Sequence, residues 1–193
     1  MRGFVLTLGL LACLVTSASR SQGPLENVNA GILPFACKSG EAVYLLAYDP
    51  NPKRLGWGNF GGGPNHGERA YQTALREFHE ETNCAYSIEA INADTLRGPS
   101  EFFGYYTFLL DVPYVEPAEI SRPRTCESVE RSRWVWVQHE HFTSALGGFD
   151  PRAEMPVVSG EPDRIHLWDG SAGSLRKAFT DGVIPSRDPC RDS

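Results

Sequence analysis

The chain has 193 residues, 41% of them apolar and 22% charged, with 18 basic side chains against 24 acidic ones. Those proportions fit one globular core, or two only if both are small. The 19 glycines and 14 prolines are scattered without period, which excludes a collagen-like chain and wholesale disorder. A formal charge of -6 and the lack of any basic run argue against a nucleic-acid polymer as partner, because phosphate backbones are held by Lys and Arg.

In chain order, the first element is an apolar stretch over 4–15, preceded by Arg2 and followed by Ser17, Ala18 and Ser19. A charged start, a short apolar run and small residues make 1–19 a secretory signal peptide. The run is too short for a comfortable membrane span, and no later stretch approaches eighteen consecutive apolar residues, so no transmembrane segment is expected. A rival route is a lipid anchor through Cys13, since Leu10-Leu11-Ala12-Cys13 loosely resembles a bacterial lipobox. Either way the mature protein is expected outside the cytosol, extracellular or periplasmic. Cleavage after Ser19 removes Arg2, leaving 17 basic against 24 acidic residues, a net charge of -7. It also removes Cys13 and leaves Cys37, Cys84, Cys126 and Cys190. An even number of cysteines in an oxidising compartment points to two disulfides; four cysteines allow three pairings, and the sequence chooses none of them. Their wide spacing excludes the CxxC pairs of zinc knuckles and thioredoxin-type centres.

Strands are predicted over 30–35, 42–48, 102–111 and 133–137, each aromatic or aliphatic and bounded by Gly, Pro or charged residues. One strong helix is predicted over 68–82 and a second over 174–181, ending at Gly182. Interleaved strands and helices point to a layered α/β or α+β domain. The segments 112–132 and 147–163 read as long loops, a length that usually serves binding or reflects disorder. No internal repeat or low-complexity block is present.

The informative segment begins at Gly61 and ends at Cys84. On a helical wheel Glu80 and Glu81 fall within about 60° of Glu77, so the carboxylates share a face, while Tyr71, Ala74, Leu75, Phe78 and Thr82 form a separate apolar stripe that can pack on a sheet. Carboxylates at this spacing repel one another and stand at the wrong end of the helix dipole. A hard divalent cation compensates for that, since Mg²⁺ takes oxygen ligands from a few carboxylates plus water and substrate phosphates. The glycine run ahead of the helix allows a tight turn and close approach of a phosphate. Arg76 is placed to pair with Glu68, and His79 projects away from the carboxylate face.

The pattern Gly62, Glu68, Arg76-Glu77-Phe78-His79-Glu80-Glu81 resembles the Nudix box, G-x5-E-x7-R-E-U-x-E-E-x-G-U with U bulky and apolar; six of its seven fixed positions match. The closing Gly is Asn83 and the final U is Cys84. Asn tolerates the left-handed conformation that ends a helix, so the first departure is mild. Cys84 can serve as a small core residue or be diverted into a disulfide. The resemblance implies a Nudix hydrolase domain over 24–185, with a tail over 186–193: an α/β/α sandwich around a mixed sheet. It implies metal-assisted attack of water on the pyrophosphate of a nucleoside diphosphate linked to another moiety, ADP-ribose and nucleotide sugars among the candidates. By position Glu77, Glu80 and Glu81 would be metal ligands and, with Arg76, the catalytic set, with the Gly62 carbonyl a further ligand. Glu68 and Arg76 would brace the site, Glu68 sometimes near the metal. The cofactor implied is Mg²⁺, with Mn²⁺ able to substitute.

The general base is expected among Glu77, Glu80 and Glu81, or among the loop carboxylates Glu116, Glu119, Glu127 and Glu130. Pro99 lies where ADP-ribose-cleaving members carry a proline, although an ordinary turn also explains it. Trp57, Phe60, Phe103, Tyr105 and Trp168 are the aromatic candidates to stack on a base. The competing reading is a non-catalytic Nudix-fold module that binds nucleotide or presents an interaction surface; retention of every box glutamate favours the enzyme. A secreted calcium-binding domain is weaker, because ligands on one helix lack the loop spacing of an EF-hand.

Overall fold

The computed structural model describes residues 25–89, 91–122, 124–126, 130–150 and 152–191. The signal peptide over 1–19 and Cys13 lie outside the described residues, as does Glu127. No helix among the described residues is long and apolar enough to cross a membrane.

The first two strands, β1 (Asn29–Lys38) and β2 (Glu41–Asp49), form a hairpin through Ser39 and Gly40, both at positive φ, as a two-residue turn requires. The short β3 (Gly56–Gly58) pairs with β2, and β4 (Phe60–Gly62) pairs with β1. After the helix α1 (Ala70–Glu81) come β5 (Arg97–Phe102) and β6 (Tyr105–Asp111), and β6 returns parallel to β1. A short helix α2 (Pro117–Ile120) precedes β7 (Trp134–Gln138), which leads directly into α3 (His139–Gly147). The two-residue strands β8 (Met155–Pro156), β9 (Ser159–Gly160) and β10 (Arg164–Ile165) follow, and α4 (Asp169–Thr180) closes the sequence of elements. The main sheet runs β5-β6-β1-β2-β7-β9, with β3 and β4 attached. One parallel pair among antiparallel ones makes it mixed.

Strand alternation sends side chains into two cores. Ile32, Val43, Leu45 and Trp136 pack with Ala74, Leu75 and Phe78 of α1 on one face. Leu33, Tyr44, Leu46, Val135 and Val137 pack with Phe142, Leu146, Leu175 and Ala178 of α3 and α4 on the other. Strands buried on both faces read as near-continuous apolar runs, which β1, β2 and β7 do. The result is the expected α/β/α sandwich.

Two expectations are corrected, and a stretch to which the sequence assigns no element is a helix. The run 102–111 is not one strand: Phe103 and Gly104, at φ 48° and 78°, turn the chain so that Phe102 pairs with Tyr105. Its unbroken aromatic character hid the turn. The segment after β7 is helical, with Phe142, Ala145 and Leu146 buried at helical spacing. The last helix begins at Asp169 rather than 174, its first turns obscured by Gly170 and Gly173, which favour helix poorly. The disulfides are Cys37–Cys190 and Cys84–Cys126. The first holds the residues expected as a tail against the β1–β2 hairpin, where Asp188 also accepts from the Ala42 amide at 3.1 Å.

Candidate active site

α1 presents Glu77 and Glu81 one turn apart, both buried, at 8% and 1% exposure. The Glu81 carboxylate accepts from the Gly61 amide at 2.8 Å and meets Arg131 at 2.5 Å. Arg131 in turn lies 2.8 Å from Asp49 at the end of β2, and Trp134 donates to the Glu81 carbonyl at 2.9 Å. Glu81 is therefore fixed from the sheet, the glycine run and the segment ahead of β7. Glu130, exposed and next to Arg131, completes a group: one carboxylate oxygen each from Glu77, Glu81 and Glu130 lies within 4.8 Å of the others.

Burial pushes the Glu81 carboxyl up to about 7 despite the opposing pull of Arg131 and the Gly61 amide. Burial also raises Glu77, against the pull of Arg76. Acids that are out of water and close together fit a hard divalent cation, which removes the cost of ionising them. The strand opposite is shaped to match. A Cβ on Gly62 would fall 2.5 Å from the Glu77 carboxylate, so a side chain there would push that carboxylate from its place.

Glu80 stands on the same side of α1, its carboxylate 2.9 Å from Arg76. Arg76 also meets Glu77 at 3.0 Å and Glu68 at 2.9 Å, and donates to the Gly63 carbonyl at 2.7 Å. One guanidinium thus aligns two α1 carboxylates and fastens the glycine loop to the helix. Glu68 further accepts from the Asn65 amide at 2.7 Å and Thr73 at 3.1 Å. Burial works against its ionisation, but Arg76 and these donors hold its carboxyl down to about 2. His79 faces elsewhere, 2.7 Å from the Tyr86 carbonyl.

Of the loop carboxylates among the described residues, Glu116 meets Lys38 and Ser159, Glu119 meets Arg122, and Glu130 is the one brought to α1. Arg131 and Asp49 were missed by the sequence reading. They lie 50 and 32 positions from Glu81, and no local spacing marks them. The two departures from the box act together: Asn83, at φ 53°, donates to the carbonyls of Ile120 at 3.1 Å and Arg122 at 2.7 Å, and Cys84 is bonded to Cys126. Both tie the segment 120–126, which leads to Glu130, to the end of α1. Pro99 lies within β5, outside the carboxylate group.

A protein-family model described as NUDIX domain matches residues 26–155, more than half of the chain. The chain belongs to the Nudix family. Among curated proteins it is similar to the uncharacterized protein L534 of Acanthamoeba polyphaga mimivirus, 40% identical over 72 residues, covering 35% of this chain and 23% of that protein. The chain thus spans less than a quarter of that relative's length. Solved structures similar to it include an Ap4A hydrolase binary complex from C. elegans, 24% identical over 59% of this chain and 81% of that one, with a TM-score of 0.38. A Nudix hydrolase from M. smegmatis, RenU, is 17% identical over 83% and 91% of the respective chains, with a TM-score of 0.40. The NUDIX domain of Shewanella oneidensis NrtR complexed with ADP ribose is 18% identical over 57% and 71%, with a TM-score of 0.39. None of these likenesses bears on what this chain acts on.

Proposed function

We propose that this protein is a divalent-metal-dependent hydrolase that cleaves the pyrophosphate linkage of a nucleoside diphosphate joined to another moiety, such as ADP-ribose or a nucleotide sugar, outside the cytosol. The observation that carries the reading is the convergence of Glu77, Glu81 and Glu130 beside the Gly61–Gly63 backbone, in a chain that retains every box glutamate. Glu77, Glu80 and Glu81 would hold Mg²⁺ or Mn²⁺, with the Gly62 carbonyl as a further ligand. When bound there, the cation supplies neutralising charge to the phosphoryl oxygens and Lewis acidity toward the attacking water.

The remaining work falls to the chain. Arg76 keeps Glu77 and Glu80 side by side, and Glu68 keeps Arg76 in place. Arg131 holds Glu81 against the glycine run. Glu130, the exposed member of the group, has the solvent access needed to take a proton from the attacking water. The two disulfides are of the kind that persist in oxidising compartments, which supports export.

The test is hydrolysis by the purified, disulfide-intact protein of a panel of nucleoside diphosphate derivatives with Mg²⁺ or Mn²⁺, beside Glu80→Gln and Glu81→Gln. Turnover is expected only with metal and is expected to fall by about two orders of magnitude or more in both variants. Binding across the panel with no hydrolysis would establish the non-catalytic module instead.

A further inference from the structure

Against the glycine run lies a cleft of about 320 Å³, bounded by the Gly61–Gly63 backbone and Arg131 on the carboxylate side and by the first turns of α4 on the other. Besides Tyr105 at the start of β6, two aromatic rings line it, Phe102 at the end of β5 and Trp168 just ahead of α4, and both are half-buried. Their seats are unusual. α4 opens Asp169-Gly170-Ser171-Ala172-Gly173, and glycine disfavours helix relative to alanine. Packing explains both glycines: a Cβ on Gly170 would fall 2.1 Å from the Trp168 ring, and one on Gly173 would fall 2.7 Å from the Phe102 ring. Gly58 repeats the device from β3, where a Cβ would fall 2.9 Å from the Trp168 indole nitrogen. The chain gives up helix propensity at two positions to seat two rings that the cores do not enclose.

Of the other aromatic candidates, Trp57 and Phe60 are buried, and the turn residue Phe103 is 91% exposed. Tyr105 has its hydroxyl packed against Gly31 and Gly61, where it accepts from Asn59 at 3.3 Å. With the Tyr105 hydroxyl engaged there, Phe102 and Trp168 remain as the lining rings for stacking. We infer that this cleft seats one nucleobase of the substrate, with Trp168 and Phe102 as its stacking surfaces. The inference rests on the pyrophosphate reading above, which it deepens by placing the base across the glycine run from the carboxylates. The volume stands at the small end of ligand cavities, enough for one nucleoside unit, so the second moiety lies beyond it.

The test separates the base from the chemistry by leaving metal out. Calorimetric titration of the full, disulfide-intact chain in EDTA uses AMP, GMP, CMP and UMP, with ribose 5-phosphate as the ring-free probe. At least one nucleotide is expected to bind tenfold or more tighter than ribose 5-phosphate. Trp168→Leu and Phe102→Leu are each expected to erase most of that margin while melting as the parent does, and Phe149→Leu, at an exposed ring that does not line the cleft, is expected to preserve it. If no nucleotide exceeds the sugar phosphate, or if both well-folded variants keep the margin, the inference is overturned. Metal-dependent hydrolysis can survive that result, so the two readings fail separately.

Discussion

Glu81 ties the chemistry of the site to the stability of the fold. Its carboxyl, raised by burial from 4.5 to about 7, keeps its proton to a higher pH when folded than when unfolded. The contribution to stability is therefore fully present below about 4.5 and is lost as pH rises through about 7, a change on the order of 3 kcal/mol. In metal-free protein, the melting temperature of the parent is expected to fall more between pH 4.5 and pH 8 than that of Glu81→Gln. Mg²⁺ is expected to restore more of it at pH 8 than at pH 5. Parallel profiles for the two proteins would refute this account. At this scale the α1 residues were legible, because helical spacing brings Glu77, Glu80 and Glu81 together whatever the rest of the chain does. Arg131 and Asp49 were not, since only the sheet topology carries them to Glu81. Glu130 stood in between, one of four loop acids that sequence could name and not rank.

At the scale of elements, the end of α1 is where the chain differs from the family's pattern, and both differences serve the same contact. Asn83 and Cys84 hold the segment 120–126 to the helix, so the approach to Glu130 and Arg131 starts from a fixed point. Replacing both cysteines, Cys84→Ala with Cys126→Ala, is expected to cost about 4 kcal/mol by loop closure over 42 positions. It is also expected to weaken Mn²⁺ binding about tenfold by calorimetry, because Arg131, which holds the ligand Glu81 against the glycine run, loses its placement. Loss of stability with unchanged metal affinity would show that the strap is structural only. The elements themselves were read unevenly, for physical reasons. β1, β2, β7 and α1 carry strong periodic patterns. The β5–β6 turn falls on Phe103, an aromatic residue in a conformation that Asn or Gly usually takes, and the opening of α4 is masked by glycines kept for packing.

Over the whole molecule, the sheet separates two cores, and the cysteines bind across that plan in different places. Cys37–Cys190 closes 153 positions and ties residues beyond α4 to the hairpin, away from the carboxylates. The pair Cys37→Ala and Cys190→Ala is expected to lose about 5 kcal/mol in denaturant titrations, more than the inner pair, with Mn²⁺ affinity unchanged. A drop in metal affinity there would mean that the outer bond also supports the site. The α/β/α architecture was legible as soon as the box placed α1 between strands. The pairing of the cysteines was not, because proximity across a sheet leaves no trace in linear spacing.

The two bonds are nested, the first cysteine of the described domain joined to the last and the middle two joined to each other. A ribosome releases them in the order Cys37, Cys84, Cys126, Cys190, so Cys37 locks a wrong partner if it oxidises with the first cysteine to follow it. Correct assembly requires Cys37 to wait as a thiol until synthesis has passed Cys190, or a thiol–disulfide exchange catalyst to undo the early mistakes.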